Sequence, residues 1–478
     1  MDAMNLGRPR LKPAPRELPF LSLGLLALAA LLLGLTSYPR AVVSAMHKAE
    51  AHRAAREYGA ALSAYRQAAA HAPESPLPWL RMGEVLLVQH RSVEATAAFV
   101  EAERRGGGEE AVLGLGESYA GRGDWAAAVQ NWLRAQASAP QDARIPLALA
   151  RASIAQAQFA QAEKHLAQTL QLQSSGPEAT AAHALLGRLL AGNDPEQAAD
   201  HFRLADDNDM LAVLDTVNAE PDPTRRFLLL GIAALQRGEL TLARRHLEQA
   251  TALAPNDAEA TAYLAHTLDQ LGATVAAGRL LERALALDGD SALVYYFLGT
   301  HERRVGNSAA AQEALWQALQ RDPDNAAFRA EMAGSFMDKP DYPRAEEWFV
   351  GAVEAAPTDV DFQLMLVHFY LDHLYRVEEG GLPAAQALVE LAPDDARAYD
   401  LLGWAYYLSG RRAEAQQALL QSLQLDPDLV SAHFHLGSLY LLTDQLDLAR
   451  SHLQRAADLD QQGFYRGRAE FLLQDMGK

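Results

Sequence analysis

The 478-residue chain has no cysteine. Disulfides, thiolate-bound zinc, iron–sulfur clusters and a cysteine nucleophile are therefore excluded. Positive charge is also short: 42 Lys and Arg stand against 61 Asp and Glu, for a net charge of −19. Nucleic-acid binding needs a basic stripe to meet phosphate, so it is not expected; an acidic body suits solubility and basic partners. No Asn-x-Ser/Thr acceptor occurs, nor any H-E-x-x-H or G-x-S-x-G. His433 and His435 are two apart and His368 and His373 five apart, whereas paired metal ligands on one helix face want a spacing of four. Gly114-Leu115-Gly116 lies in a helical pattern with no strand before it, and Gly106-Gly107-Gly108 has no Lys-Ser/Thr after it, so neither reads as a phosphate loop. The sequence thus offers no catalytic, cofactor-binding or metal residue, and a non-catalytic role is expected.

What is present begins with an uncharged run, Leu18–Leu35, after a tail carrying Arg8, Arg10, Lys12 and Arg16. As a helix, that run reaches ~27 Å, close to the hydrocarbon thickness of a bilayer. Tyr38 is placed as an interfacial anchor. Two readings remain: a membrane anchor, which the length favours, and a signal peptide cleaved near Val43-Ser44-Ala45. As an anchor, the positive-inside rule puts residues 1–17 in the cytoplasm and the rest outside it, periplasmic or at the cell surface; Arg40 and Lys48 pull the other way.

The remainder is periodic. Leu115-Gly116-Glu117-Ser118-Tyr119 is followed by Gly123-Asp124-Trp125, Ala128, Trp132, Ala135 and Pro140. The same spacing recurs in Phe227…Gly231…Gly238…Ala243…Leu247…Pro255, in Tyr295…Gly299…Gly306…Ala311…Leu315…Pro323 and in Tyr399…Gly403…Gly410…Ala415…Leu419…Pro427. The pattern resembles the tetratricopeptide repeat (TPR), a helix–turn–helix unit of about 34 residues. The resemblance covers nearly everything after residue 41. It implies an all-α, right-handed superhelical solenoid of about twelve hairpins, here preceded by one transmembrane helix. One hairpin cannot cover its own apolar face, so stacking is obligatory.

The expected organisation is a basic tail over 1–17, a transmembrane helix over 18–38, an N-terminal sub-array over 42–206, an irregular acidic connector over 207–223, a C-terminal sub-array over 224–462 and a capping helix over 463–478. The connector reads either as a degenerate repeat or as a hinge, and Met210–Val217 within it as one isolated helix. The unit starting near 360 is irregular too, with Val367 at the small-residue position and an insertion around Gly380-Gly381.

In TPR proteins the ligand groove is lined by the first helix of each unit. The resemblance places Leu80, Glu84, Leu113, Glu117, Leu147 and Arg151 there in the N-terminal units. In the later units it places His266, Asp269, Tyr296, Thr300, Arg303, His368, Leu371, Asp400, Trp404, Tyr407, Phe434 and Ser438 there. The second set is richer in the side chains that dominate interfaces. A partner-binding surface is therefore expected across units 7–12, at Tyr296, Arg303, His368, Trp404, Tyr407 and Phe434, with neighbour packing as the competing role for the same aromatics. The layout resembles membrane-anchored bacterial TPR scaffolds that take part in envelope or membrane-complex assembly. That implies protein or peptide partners in the groove and the lipid bilayer at Leu18–Leu35. A structural subunit of a stable membrane complex is the alternative, and a regulatory arm of a glycan-processing enzyme a weaker one.

Overall fold

Acidic residues cap several of the helix starts. Asp124, Asp194, Asp207, Asp257 and Asp341 each accept a backbone N–H three residues on. Each satisfies one of the four donors that a helix N-terminus leaves open. The computed structural model describes residues 40–476. They form twelve helical hairpins, each with a first helix A and a second helix B, from Arg40–Ala54 with Tyr58–His71 (unit 1) to Val430–Leu442 with Leu446–Leu459 (unit 12). One single helix, Asn208–Ala219, interrupts them and another, Arg466–Asp475, follows them. Among the described residues there is no strand and no helix long and apolar enough to cross a membrane. The Leu18–Leu35 run and the basic tail lie outside the described residues.

The hairpins close by a repeated contact. A Cβ on Gly116 would sit 2.2 Å from Trp132 Nε1, one on Gly231 2.5 Å from Leu247 Cγ, one on Gly299 2.6 Å from Leu315 Cγ, and one on Gly403 2.6 Å from Leu419 Cγ. In each pair the large residue follows sixteen positions later, and it is fully buried. The small residue lets helix B approach helix A, and the large one fills the notch. Gly187 and Phe202 make the same contact fifteen apart, in the shortened unit 5 (Pro177–Leu190 with Pro195–Leu204).

Helix A of one unit packs against helix A of the next, whereas successive B helices stand further apart. The A helices therefore occupy the inner arc and the B helices the outer one. The core runs without interruption through the irregular stretch. Met210, Leu214 and Val217 of the single helix pack on Phe202 and Leu230. Leu147, Leu166 and Leu186 share a cluster with Ala234 and Leu242. Arg188 ties the turn ahead of the single helix to unit 6 (Pro223–Gln236 with Leu240–Leu253), reaching Asp207 at 3.0 Å and Glu239 at 3.3 Å. In unit 10 (Val360–Asp372 with Leu382–Leu391) the insertion is a π-helical turn, Val377–Gly381. Tyr370, Tyr375 and Arg376 hold that turn by converging on Glu346.

The curvature brings the array back onto itself. Helix B of unit 12 lies beside helix B of unit 1. Arg455 donates to the carbonyls of Ala55 (2.9 Å) and Arg56 (3.2 Å) and pairs with Asp428 (2.6 Å). Arg56 also reaches Asp428 at 2.6 Å. The Gly59 N–H donates to Asp458 Oδ1 at 2.6 Å, and Arg466 Nη2 to Gln89 O at 3.1 Å. Arg56 holds a left-handed φ of 57° where five other units place glycine, so the seam takes a charged side chain at a strained turn position. The last helix covers the final unit with Ala469, Leu472 and Met476. Phe464, just before it, and Phe471 on its outer side are exposed, with the Arg468 guanidinium 4.1 Å above the Phe464 ring.

Candidate functional site

The inner arc is where helix A side chains face a common space. In unit 11, helix A is Ala396–Leu408, capped by Asp395, which accepts the Arg397 N–H at 2.8 Å. Gly403 is spent on the contact with Leu419. The next residue, Trp404, lies about 100° further round the helix and so turns toward the inner arc. Its ring stacks on Tyr407 at 4.6 Å and 10° and on His435 of unit 12 at 4.2 Å and 14°. Trp404 and Tyr407 are both partly exposed. With two parallel neighbours, the indole presents mainly its edge. His435 Nδ1 donates to Asp400 Oδ1 at 2.7 Å, with both residues buried. That bond fixes the ring on which Trp404 rests, so the ladder is held by two adjacent units.

The other expected residues sit as follows. Tyr296 stacks on Phe328 of unit 9 at 4.8 Å, and burial pushes its hydroxyl up to about 12. Arg303 bridges Glu331 (2.8 Å) and Asp338 (3.2 Å) of unit 9, so its charge is already met. The His368 side chain is 50% exposed, with Asp372 3.3 Å away, on a stripe shared with Asp361 and Met365. Phe434 is buried beneath Tyr465, ring centroids 5.2 Å apart. The structure thus brings Trp404 and Tyr407 together and links Phe434 to them through His435. Tyr296 and Arg303 form a separate group in unit 8, and His368 stands between the two. Leu113, Leu147, Asp269, Leu371 and Asp400, five further positions placed in the groove, are buried. Sequence reasoning missed a second carboxylate–imidazole contact between neighbouring A helices, Asp269 with His301 at 3.2 Å. The available signal was an Asp and a His about one repeat apart in both cases.

A cavity of about 480 Å³ lies at the seam, lined by Glu57, His433, His452, Arg455 and Asp458. Burial pushes the Asp458 carboxyl up to about 6, against the pull of the Gly59 N–H. Burial also pushes His452 down to about 4, helped by His433, whose Nδ1 is 2.9 Å from its own. Among the described residues, no group of three or more His, Asp or Glu could hold a metal ion.

Models of the tetratricopeptide repeat match residues 147–212 and 296–360, 234–299, 396–429 and 430–462. No curated protein matches the chain. Among solved structures, MamA (residue 41 to its end) from Desulfovibrio magneticus RS-1 is 26% identical, with 36% of this chain and 96% of that one covered and a TM-score of 0.32. Yeast Tom70 is 16% identical over 91% of this chain and 95% of its own, with a TM-score of 0.42. PilF of Pseudomonas aeruginosa is 20% identical over 44% of this chain and 94% of its own, with a TM-score of 0.36.

Proposed function

The chain belongs to the tetratricopeptide-repeat family, and on that premise we propose that it is a non-catalytic, membrane-anchored scaffold that recruits a protein partner along its inner arc. The observation that carries the reading is the Tyr407–Trp404–His435 ladder. It is partly exposed, aromatic, and held rigidly by a buried hydrogen bond between two units. Rigid, half-buried aromatics supply contact area at little entropic cost, as interface hot spots do. Anchoring rests on the length and apolarity of Leu18–Leu35 and on the basic residues before it. The repeats then face away from the cytoplasm, and assembly of an envelope or membrane complex is the role this layout suits.

The test is crosslinking in native membranes followed by identification of the captured protein. The Trp404→Ala/Tyr407→Ala variant is expected to lose capture while keeping its helical circular-dichroism signal. Undiminished capture by a folded double variant would remove the inner-arc ladder from the interface. A reporter fused after Lys478 and active only in the cytoplasm would overturn the topology.

A further inference from the structure

On the outer arc the B helices diverge. Between helix B of unit 8 (Ser308–Arg321) and helix B of unit 9 (Tyr342–Ala355) a cleft of about 440 Å³ stays open. Two tryptophans line it, Trp316 and Trp348. Trp316 is 47% exposed, the only tryptophan among the exposed large apolar residues. Elsewhere Trp79 lies under the Arg105 guanidinium, Trp125 is half-buried against the core of unit 3, Trp132 is buried and Trp404 is stacked. Among the described residues the Trp316 and Trp348 rings face neither another ring nor a cation, although they line one cleft.

The same cleft holds two carboxylates, Glu347 and Glu354. They are seven residues apart on one helix and so share a face. Both are exposed, and among the described residues neither makes a hydrogen bond or an ion pair. Gly351, between them in sequence, puts no side chain into the cleft, and the Arg329 side chain lies over it, with Nη1 3.5 Å from where a Cβ would stand. The one cation lining the cleft, Arg329, is spent: it donates to Gly351 O at 2.8 Å and to Pro323 O at 3.0 Å and pairs with Asp324 at 3.3 Å.

We propose that the outer-arc cleft between units 8 and 9 binds an arginine side chain from a basic segment of a partner protein. Its guanidinium stacks on Trp316 and Trp348 and is hydrogen-bonded by Glu347 and Glu354. An arginine suits both parts of the site, because the planar guanidinium stacks on indole faces and pairs with carboxylates at fixed geometry. The charge balance suits the same occupant: two unmet carboxylates on a chain of net charge −19. The site lies on the face opposite the Trp404 ladder and does not depend on it.

The experiment uses the full chain labelled with 5-fluorotryptophan. The ¹⁹F signals of Trp316 and Trp348 are assigned through Trp316→Phe and Trp348→Phe. Titration with acetyl-Gly-Arg-Gly-amide is expected to shift those two signals saturably and to leave the other four in place. The Glu347→Gln/Glu354→Gln variant, which changes only exposed side chains, is expected to bind at least ~10-fold more weakly, and the citrulline peptide not to bind. Equal binding of the citrulline peptide, or unchanged binding by the glutamine variant, would overturn the proposal. Shifts spread over all six tryptophans would reduce it to diffuse attraction by an acidic body. Self-association that disappears in Trp316→Phe would make the occupant a second copy of this chain and overturn the assignment to another protein.

Discussion

Removing the Arg455 guanidinium should open the seam between units 1 and 12. Arg455 meets two acceptors across the seam, the Ala55 and Arg56 carbonyls, and Asp428 on its own side. Its side chain is 25% exposed, whereas Arg56 and Asp428 are 59% and 38% exposed. A hydrogen bond to a charged group in a partly shielded place contributes about 1.5–3 kcal/mol, while an exposed ion pair contributes about 0–1 kcal/mol. The shared donation to two carbonyls therefore outweighs the Arg56–Asp428 pair, and Arg455→Ala should cost closure ~2–3 kcal/mol. This corresponds to a roughly 30- to 150-fold shift of the closed–open equilibrium toward open. The cysteine-free chain makes the assay clean. Ser63→Cys and Ser451→Cys, both exposed, carry spin labels on either side of the seam, and pulsed electron resonance reads their separation. The parent is expected to give one narrow short distance, and Arg455→Ala a broadened distribution with a longer component. Thermal unfolding of the hairpins should barely move, because no intra-unit contact is lost. An unchanged narrow distance in Arg455→Ala would refute the reasoning. Closure would then be set by the summed packing of the units rather than by the clamp.

Four other outcomes are expected. Gly403→Ala places a Cβ 2.6 Å from Leu419 Cγ and 3.1 Å from its backbone nitrogen, and overpacking of this kind costs about 1–3 kcal/mol in denaturant titration. Gly467→Ala meets nothing within 4 Å and should instead stabilise slightly. The Asp458 carboxyl is raised to about 6 from 3.8, so its contribution is present below about pH 4 and is lost as pH rises through about 6. Melting temperatures of Asp458→Asn should therefore exceed the parent's at pH 8 and match them at pH 4. His452 is lowered to about 4 from 6.5, so its contribution is present above about 6.5 and is lost as pH falls toward 4, a slope that Asp458→Asn leaves exposed. His435→Phe strips Asp400, 2% exposed, of its donor, and an unmet buried acceptor costs about 1–3 kcal/mol. The same variant should loosen Trp404, seen as a red-shifted tryptophan emission; an unshifted spectrum would mean that His435 does not hold the ring.

Much of this protein was determined locally and could be read in one dimension. Most of the hairpins follow from a recurring set of side-chain choices: a small residue in helix A, a large one sixteen positions on, a proline or polar stop and, in several units, an acidic cap. Gly116 with Trp132 and Gly403 with Leu419 show the same steric logic far apart in the chain. Such contacts lie within one unit, so the 3.6-residue helical period is enough to place them. The inner-arc site was only half legible. Trp404 and Tyr407 could be assigned to the inner arc, but not that the indole would be stacked between Tyr407 and His435, nor that Arg303 would be neutralised by unit 9. Those outcomes depend on the angle at which one unit meets the next. The seam was not legible at all. Whether Arg455 reaches Ala55, some 400 residues away, depends on the sum of the rotations between all the units. A small change in any one of them moves the two ends apart, and no local motif records that sum. The same divergence of the outer arc leaves open the cleft between Trp316 and Trp348. Repeat identity was thus settled by sequence, while closure and the exposure of particular aromatics were decided by the superhelix they build together.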